Sequence, residues 1–420
     1  MQASSPLSSG ERSLVAYVDA HNQEALALLE RVVNINSGTQ NFAGVQEVGR
    51  VFRAEFDALG FSTQWVDGAP FKRAGHLVAD HPGKGPRILL IGHLDTVFEK
   101  DSPFQKMERI DDGTARGPGI IDMKGGNVVM IAALKALHAA GVLHDMNVVA
   151  VMTGDEEDAG EPLSAARQAL VTAAKGADVA IGFEDGPADP KLAVTARRGT
   201  TGWEVRVKGA PAHSSQIFRE DIGYGAVYEL ARILNTFREK MAGEAHLTFN
   251  PGVMLGGTTV EFDAVQLRGS AFGKTNVVAE HAVVSGDLRA LSKEQFDKAK
   301  AAMAEIVAAS LPHTSATIRF DEGYPPMAPS AGNTKLLAMY DQASRDLGFG
   351  AVAAVSPDRA GAADVSFAAE YVKTALDGVG LMGHSDHTVK ETADLSTLSS
   401  QTKRMAVLLQ RLVRSGAPKP

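Results

Sequence analysis

The sequence predicts an α/β fold interrupted by an inserted α+β domain of ferredoxin-like type, and three observations carry that expectation. Apolar stretches of strand length alternate with helical stretches through the first half of the chain. Three of these strands run straight into loops rich in histidine, aspartate or glutamate. Near residue 198 the rhythm changes to half-buried strands and amphipathic helices, and it returns after Pro325 and Pro326. Alternating apolar strands and helices build a sheet covered on both faces. In such sheets ligands gather at the carboxyl ends of the strands.

The elements follow in order. From about 14 to 34, Leu, Ala and Val recur at helical spacing, and a second helix is expected near 43–59. Strands are expected near 62–66, at 87–92, at 146–153 ("MNVVAVMT") and within 177–185 ("ADVAIGFED"), with a helix from about 125 to 140. In the inserted part "GWEVRVKGA" (202–210) alternates, 222–241 is amphipathic, and strand-like stretches lie near 246–262 and 276–289. A helix over 293–310 and a last strand at 314–320 complete the order β-α-β-β-α-β, which is the split motif of ferredoxin-like domains. Helices near 333–347 and 396–414 close the chain. The domain boundaries are placed at 1–197 and 314–420 for the two parts of the first domain and at 198–313 for the insertion.

Composition narrows the chemistry. At 420 residues the chain exceeds one ordinary core, and 44% hydrophobic with 22% charged content is that of a globular protein. A net charge of -8 without a dense Lys/Arg run argues against a nucleic-acid partner. No apolar run approaches the roughly 18 to 20 residues that cross a bilayer, so no membrane partner is expected. The opening "MQASSPLSSGER" lacks the pattern of a signal peptide, and a soluble protein of cytoplasm or periplasm is expected. There is no cysteine, which removes thiolate catalysis, disulfides and Cys-based zinc sites; any metal must be held by His, Asp and Glu.

Such residues are clustered. His93 and Asp95 follow the strand in "RILLIGHLDTVF"; Asp122 lies in "GPGIIDMKGG"; Asp155, Glu156, Glu157 and Asp158 follow "MNVVAVMT". Glu184 and Asp185 end "ADVAIGFED", and His384, Asp386 and His387 crowd "GHSDHTVKE". A single run of this kind is usually a solvated loop, and a lone histidine after a strand is usually hydrogen-bonded structure. Convergence on one sheet edge changes that balance, because several carboxylates in one cleft repel unless cations lie between them. Two imidazoles and three carboxylates suit a pair of divalent sites that share one acid.

The motifs "GHLDTV", "ARGPGIIDMKGG", "TGDEEDAG", "IGFED", "NVVAEHAVVSGDLRA" and "DGVGLMGHSDHTVKE" resemble those of the co-catalytic zinc metallopeptidase family. That family includes glutamate carboxypeptidase, aminoacylase, acetylornithine deacetylase and succinyl-diaminopimelate desuccinylase. The resemblance runs from roughly residue 25 to 412 and is nearest to glutamate carboxypeptidase. It implies a zinc-peptidase-like mixed central sheet flanked by helices, an inserted dimerisation or lid domain, a homodimer, and two zinc ions per chain with cobalt or manganese as substitutes. It also implies that His93, Asp122 and Glu184 hold one zinc, and that Asp122 bridges to a second held by Glu157 and a late histidine. Glu156 is implied as general base and Asp95 as the partner that orients His93. Two histidines compete for the last position: His384 in "HSD" and His387 in "HTVKE". Counting from "DGVG" at 377–380 favours His387.

The resemblance further implies that His213, in "KGAPAHSS", crosses a dimer to stabilise an oxyanion. It implies that Arg289, in "SGDLRAL", grips a substrate carboxylate through paired hydrogen bonds, with Asn276 beside it. Gly361 and Asp364, in "RAGAAD", resemble a substrate loop, though its usual Gly-Gly-x-Ser/Thr-Asp spelling is altered. Lys191 and Arg359 fall near positions where glutamate-preferring members place cations. The expected function is hydrolysis of an amide bond next to a free carboxylate in a small peptide or N-acyl amino acid, with release of C-terminal glutamate. The alternatives are an aminoacylase, dipeptidase or deacetylase of the same fold with another side-chain preference, or a non-catalytic peptide-binding relative.

Overall fold

The computed structural model describes residues 7–186 and 188–418. The first six residues of the stretch weighed above as a signal peptide lie outside the described residues. The chain divides into two compact units, Met1–Arg197 with Met327–Pro420, and Arg198–Pro326.

The first unit is built on five main strands: β1 (Ser62–Asp67), β2 (Gly75–His81), β3 (Lys84–His93), β4 (Met146–Thr153) and β5 (Val179–Gly182). Their order across the sheet is β1-β2-β4-β3-β5, with the two-residue strand Ala375–Leu376 beyond β5. The strands from β4 to Ala375–Leu376 run parallel, whereas β1 and β2 add an antiparallel edge. The parallel strands are apolar on both faces: Ile88 to Ile91, Val148 to Met152 and Val179 to Ile181 are all buried. That is the pattern of strands sandwiched between helices. Helix Gly126–Ala139 is correspondingly apolar around nearly its whole circumference, and the closing helix Ser396–Ser415 shares its core with it through Leu134, Leu137, Met405 and Leu408.

Two details differ from the expectation. The helix expected over 14–34 is two helices, Ser9–Ala20 and Asn22–Val33. His21 leaves helical geometry between them; its ring stacks on Tyr17 and its Nδ1 donates to the Tyr17 carbonyl at 2.8 Å. A side chain that bonds back onto the preceding turn competes with continuation of the helix. Strand β2, "GHLVADH", was not anticipated, because its polar and buried positions interleave without a clean period; its pairing with β1 and β4 decides it.

The second unit contains β6 (Gly199–Gly209), β7 (Thr248–Gly257), β8 (His281–Ala290) and β9 (Thr314–Phe320), ordered β7-β8-β6-β9 and antiparallel throughout. Helices Gly225–Met241 and Lys293–Ala308 supply the crossovers. This is the split β-α-β arrangement. The stretch expected as one strand near 246–262 is β7 followed by the first arm of a hairpin, Thr259–Asp263 paired with Arg268–Phe272. The boundary placed at 313 is corrected to 326: β9 pairs along β6 from Thr314–Gly209 to Phe320–Trp203, and Ala316, Ile318 and Phe320 pack on the core around Trp203 and Phe237. Cutting before β9 would strip one edge from that core.

Candidate metal centre

The centre is assembled where β3, β4 and β5 end. His93 is the last residue of β3 and 1% exposed. Its Nδ1 donates to the Asp95 carbonyl at 3.0 Å and lies 3.4 Å from the Asp95 carboxylate. That commitment turns Nε2 toward Asp122 Oδ1 at 3.0 Å and Glu184 Oε1 at 3.4 Å. On the other side of Asp122, Oδ2 lies 2.9 Å from His387 Nε2, which is also 3.1 Å from Glu157 Oε2. Asp122 therefore presents one oxygen to each imidazole. His384 makes neither contact; it pairs by backbone with Thr392 and lines the adjoining cavity. His387 is held at φ 58°, in the left-handed region where a non-glycine residue is uncommon, and functional loops are where such geometry concentrates.

The surrounding backbone is pinned by buried acids. Glu391, fully buried, accepts the N–H groups of Gly119, Ile121 and Asp122 at 3.0, 2.9 and 3.2 Å, and so fixes the turn that carries Asp122. The Asp95 carboxylate accepts the N–H groups of Glu156 at 3.0 Å and Glu157 at 3.1 Å and the Thr39 hydroxyl at 2.7 Å. It thus orients the acid loop more directly than it orients His93, the role expected for it. Asp377 accepts from the Glu184 N–H at 3.3 Å and from Arg197 Nε at 2.7 Å. Glycine is required where these segments meet: a Cβ on Gly92 would stand 2.1 Å from Asn127 Oδ1, and one on Gly126 would stand 1.8 Å from the Phe183 carbonyl.

The electrostatics show a cluster short of positive charge. Burial opposes the charge on His93, but Glu184, Asp122 and Asp95 outweigh it and hold its pKa well above the usual imidazole value. Hydrogen bonding to Asp122 and Glu157 pushes His387 up to about 11. Burial pushes Asp122 up, yet hydrogen bonds to His387 and His93 more than offset this and leave it low. Burial, joined by the charge of Glu184, drives Glu156 well up; burial and Asp122 drive Glu157 up to about 7; burial raises Glu184 as well. A divalent cation would oppose the rises at Glu156, Glu157 and Glu184, because it favours the ionised form of every carboxylate that faces it.

The residues present fit such ions. Glu157 Oε1 is buried with no hydrogen-bond partner, a costly state for a carboxylate oxygen that a cation would relieve. Ligand atoms of His93, Asp122 and Glu157 lie within 4.8 Å of one another, as do those of His93, Glu156 and Glu184, and those of Asp122, Asp386 and His387. Imidazole and carboxylate donors without thiolate suit zinc, cobalt or manganese.

Beside this cluster is a cavity of about 490 Å³ whose lining includes Glu156, Glu184, Asp185, Arg197, Arg359 and Gly361. Arg359 is exposed on that lining, and the Gly361 carbonyl accepts from Arg197 Nη1 at 2.8 Å. Two expected substrate residues are corrected. Asp364 is 2% exposed and both its oxygens are engaged, by Arg167 Nε at 2.7 Å and the Thr153 hydroxyl at 2.5 Å, so it anchors the loop instead of facing a ligand. Lys191 is exposed ahead of the short strand Leu192–Ala193 and is not among the cavity-lining residues. His213, Asn276 and Arg289 belong to the second unit. There the Ser215 N–H reaches His213 Nδ1 at 3.3 Å, the exposed Asn276 accepts at its carbonyl from the Ser214 N–H at 2.9 Å, and Arg289 Nε donates to Asp287 at 2.8 Å. Sequence reasoning missed Arg167, Arg197 and Asp377; the pairs Arg167–Asp364 and Arg197–Asp377 join residues 197 and 180 positions apart, so no local spacing marks them.

A central mixed sheet whose strand ends gather two histidines and a set of buried carboxylates defines a metal-dependent hydrolase as the class of protein. Residues 89–411 match the peptidase family M20/M25/M40, and the chain belongs to that family of metallopeptidases. It is 27% identical over 395 residues to carboxypeptidase G2 of Pseudomonas sp. (strain RS-16), covering 91% of this chain and 88% of that protein. The fold is shared with aminopeptidase PepT from Bacillus cereus at a TM-score of 0.71 and 19% identity, over 93% of this chain and 98% of that one. It is also shared, at a TM-score of 0.66 and 15% identity over 94% and 99% of the two chains, with a Bacillus subtilis protein described as a dinuclear metal binding peptidase.

Proposed function

We propose that this protein is a dinuclear zinc hydrolase of carboxypeptidase type, cleaving an amide bond next to a free carboxylate and releasing C-terminal glutamate from peptidyl or N-acyl substrates. The observation that carries the reading is Asp122, with one oxygen toward His93 and the other toward His387, beside a cavity that Glu156 lines. In this reading His93, Asp122 and Glu184 hold one ion, and Asp122, Glu157 and His387 the other. Bound there, two divalent ions supply polarisation of the scissile carbonyl and activation of water. Glu156 takes a proton from the attacking water and returns it to the departing amine. His213, brought to the reacting carbonyl across a homodimer, donates to the developing oxyanion. Arg289, with Asn276, takes the substrate α-carboxylate, and Arg359 on the cavity lining takes the glutamate side chain. The match to carboxypeptidase G2 over 91% of this chain and 88% of that protein supports the carboxypeptidase type.

A second reading has its own observation. Val194, Val355, Ala360, Ala362 and Ala363 also line the cavity, and an apolar side chain would fit against them, as in an aminoacylase or dipeptidase. A panel of N-acyl amino acids and dipeptides, assayed by released amine with and without a chelator, separates the readings. Fastest release of glutamate, lost on chelation and restored by zinc, is expected. Turnover that survives removal of both metals overturns the mechanism. A faster apolar substrate selects the second reading, and a folded, metal-loaded protein that cleaves nothing in the panel selects the peptide-binding alternative.

A further inference from the structure

Arg167, 1% exposed, touches two of the segments that wall the cavity. Its guanidinium works as a fork. Nη1 donates to Asp155 Oδ1 at 2.7 Å, Nη2 to the Asp155 carbonyl at 3.0 Å, and Nε to Asp364 Oδ1 at 2.7 Å. Each partner is itself tied down. Asp155 Oδ2 accepts the Gly160 N–H at 2.8 Å and so closes the loop that carries Glu156 and Glu157. The second oxygen of Asp364 accepts the hydroxyl of Thr153, the last residue of β4, at 2.5 Å. Asp364 directly follows Gly361, Ala362 and Ala363, which line the cavity. The ring of Phe367 lies 5.5 Å from the guanidinium carbon. His76 braces the same region, donating Nε2–H to the Ala166 carbonyl at 2.7 Å and accepting the Gly154 N–H at 3.1 Å.

We infer that Arg167 is a positioning residue: it locks the Glu156 loop to the 360–364 wall, so that the base and a substrate held by that wall keep one register. The inference rests on the proposed hydrolysis for its effect on rate, but not for its effect on the backbone. A planar fork with fixed donor directions can serve two carboxylates and a carbonyl at once, whereas an ammonium group is a point donor on a flexible stem. Arg167→Lys therefore keeps the charge and loses the span. Reacting groups displaced by about 1 Å lose roughly 100-fold in rate.

The test uses the zinc-loaded full chain carrying Arg167→Lys, with Asp364→Asn as the milder variant should the first fold poorly; the amide still offers an acceptor to Nε. Hydrogen exchange is read first. Either variant is expected to speed exchange in segments 154–161 and 360–364 together while β3 is unchanged. Faster exchange in only one of the two segments, or in neither, overturns the coupling whether or not any substrate is cleaved. Rates on an N-acyl-glutamate follow. Arg167→Lys is expected to lower kcat about 100-fold with zinc still near two per chain, and to lower it less than about threefold in a Glu156→Asp background, because both changes displace the same carboxylate. A kcat within about threefold of the parent, or the same loss in both backgrounds, refutes the positioning role. A parent that cleaves nothing while both segments still loosen together removes the proposed reaction and leaves the coupling standing.

Discussion

At the level of single residues, the centre is ordered by which atom each side chain has already committed. His93 gives Nδ1 to Asp95, which leaves Nε2 for Asp122 and Glu184; Asp95 gives its carboxylate to the amides of Glu156 and Glu157, which sends those two adjacent side chains apart. Replacing Glu156 by Gln keeps the shape and removes the proton acceptor. Turnover is expected to fall by roughly 10²- to 10⁴-fold with metal content near two per chain, and an active variant would refute the assignment. His387→Ala is expected to lower zinc stoichiometry while His384→Ala leaves it unchanged, since only His387 reaches Asp122 and Glu157. Inductively coupled plasma measurement on both variants decides it. The clustering of the residues proposed to hold metal was legible because each group follows a strand or sits in a glycine-rich turn. Asp364 was misread because its partner, Arg167, lies 197 residues away, and a carboxylate's burial cannot be seen in a loop whose neighbours are small.

At the level of elements, the N-terminal helix shows how a charge can tie one segment to another. Ser8 and Glu11 form a reciprocal cap at the start of Ser9–Ala20, and the other oxygen of Glu11 accepts from Arg411 on the closing helix at 2.7 Å. Arg411 also donates to Asp346 at 2.7 Å. Burial pushes the Glu11 carboxyl up, but Arg411 and Ser8 outweigh it and leave the pKa below the usual glutamate value. A depressed carboxyl stabilises the fold in its ionised form, so this contribution is complete above the unfolded value of about 4.3 and is lost as pH falls through the lower folded one. Glu11→Gln should cost about 1 to 2 kcal/mol near neutral pH, with the difference from the parent shrinking as denaturation is followed from pH 5 downward. A difference that stays constant across that range would show that charge is not what docks the helix. Periodicity foretold these helices; the break at His21 and the strand β2 depended on contacts outside their own windows.

At the level of the whole molecule, the proposed metal donors His93, Asp122, Glu157, Glu184 and His387 all belong to the unit formed by Met1–Arg197 and Met327–Pro420. The chain leaves and re-enters that unit at neighbouring points: Arg197 and Met327 exchange backbone hydrogen bonds at 2.9 and 3.0 Å. Replacing 198–326 with a short glycine linker should therefore preserve the metal site, with zinc bound at the parent's stoichiometry. Hydrolysis should fall by about 10²- to 10³-fold or more, the loss expected when a donor to an oxyanion is removed, because His213 and Arg289 go with the excised unit. Excised protein that folds but binds no metal would contradict the placement of the donors; full activity would dismiss both second-unit residues from the reaction.

The sequence by itself determined the kind of chemistry and most of the elements. Without cysteine, only imidazole and carboxylate ligands were open to a metal, and hydrophobic period marked the strands that deliver them. Tertiary structure alone decided that Asp364 pairs inward with Arg167 and that the second unit runs to Pro326, and it brought His387, which spacing favours, and not His384 to Asp122. The physical reason is one of range. Period and turn chemistry are set by neighbours within a few residues, whereas ion pairing and strand pairing join groups that only the folded chain brings together.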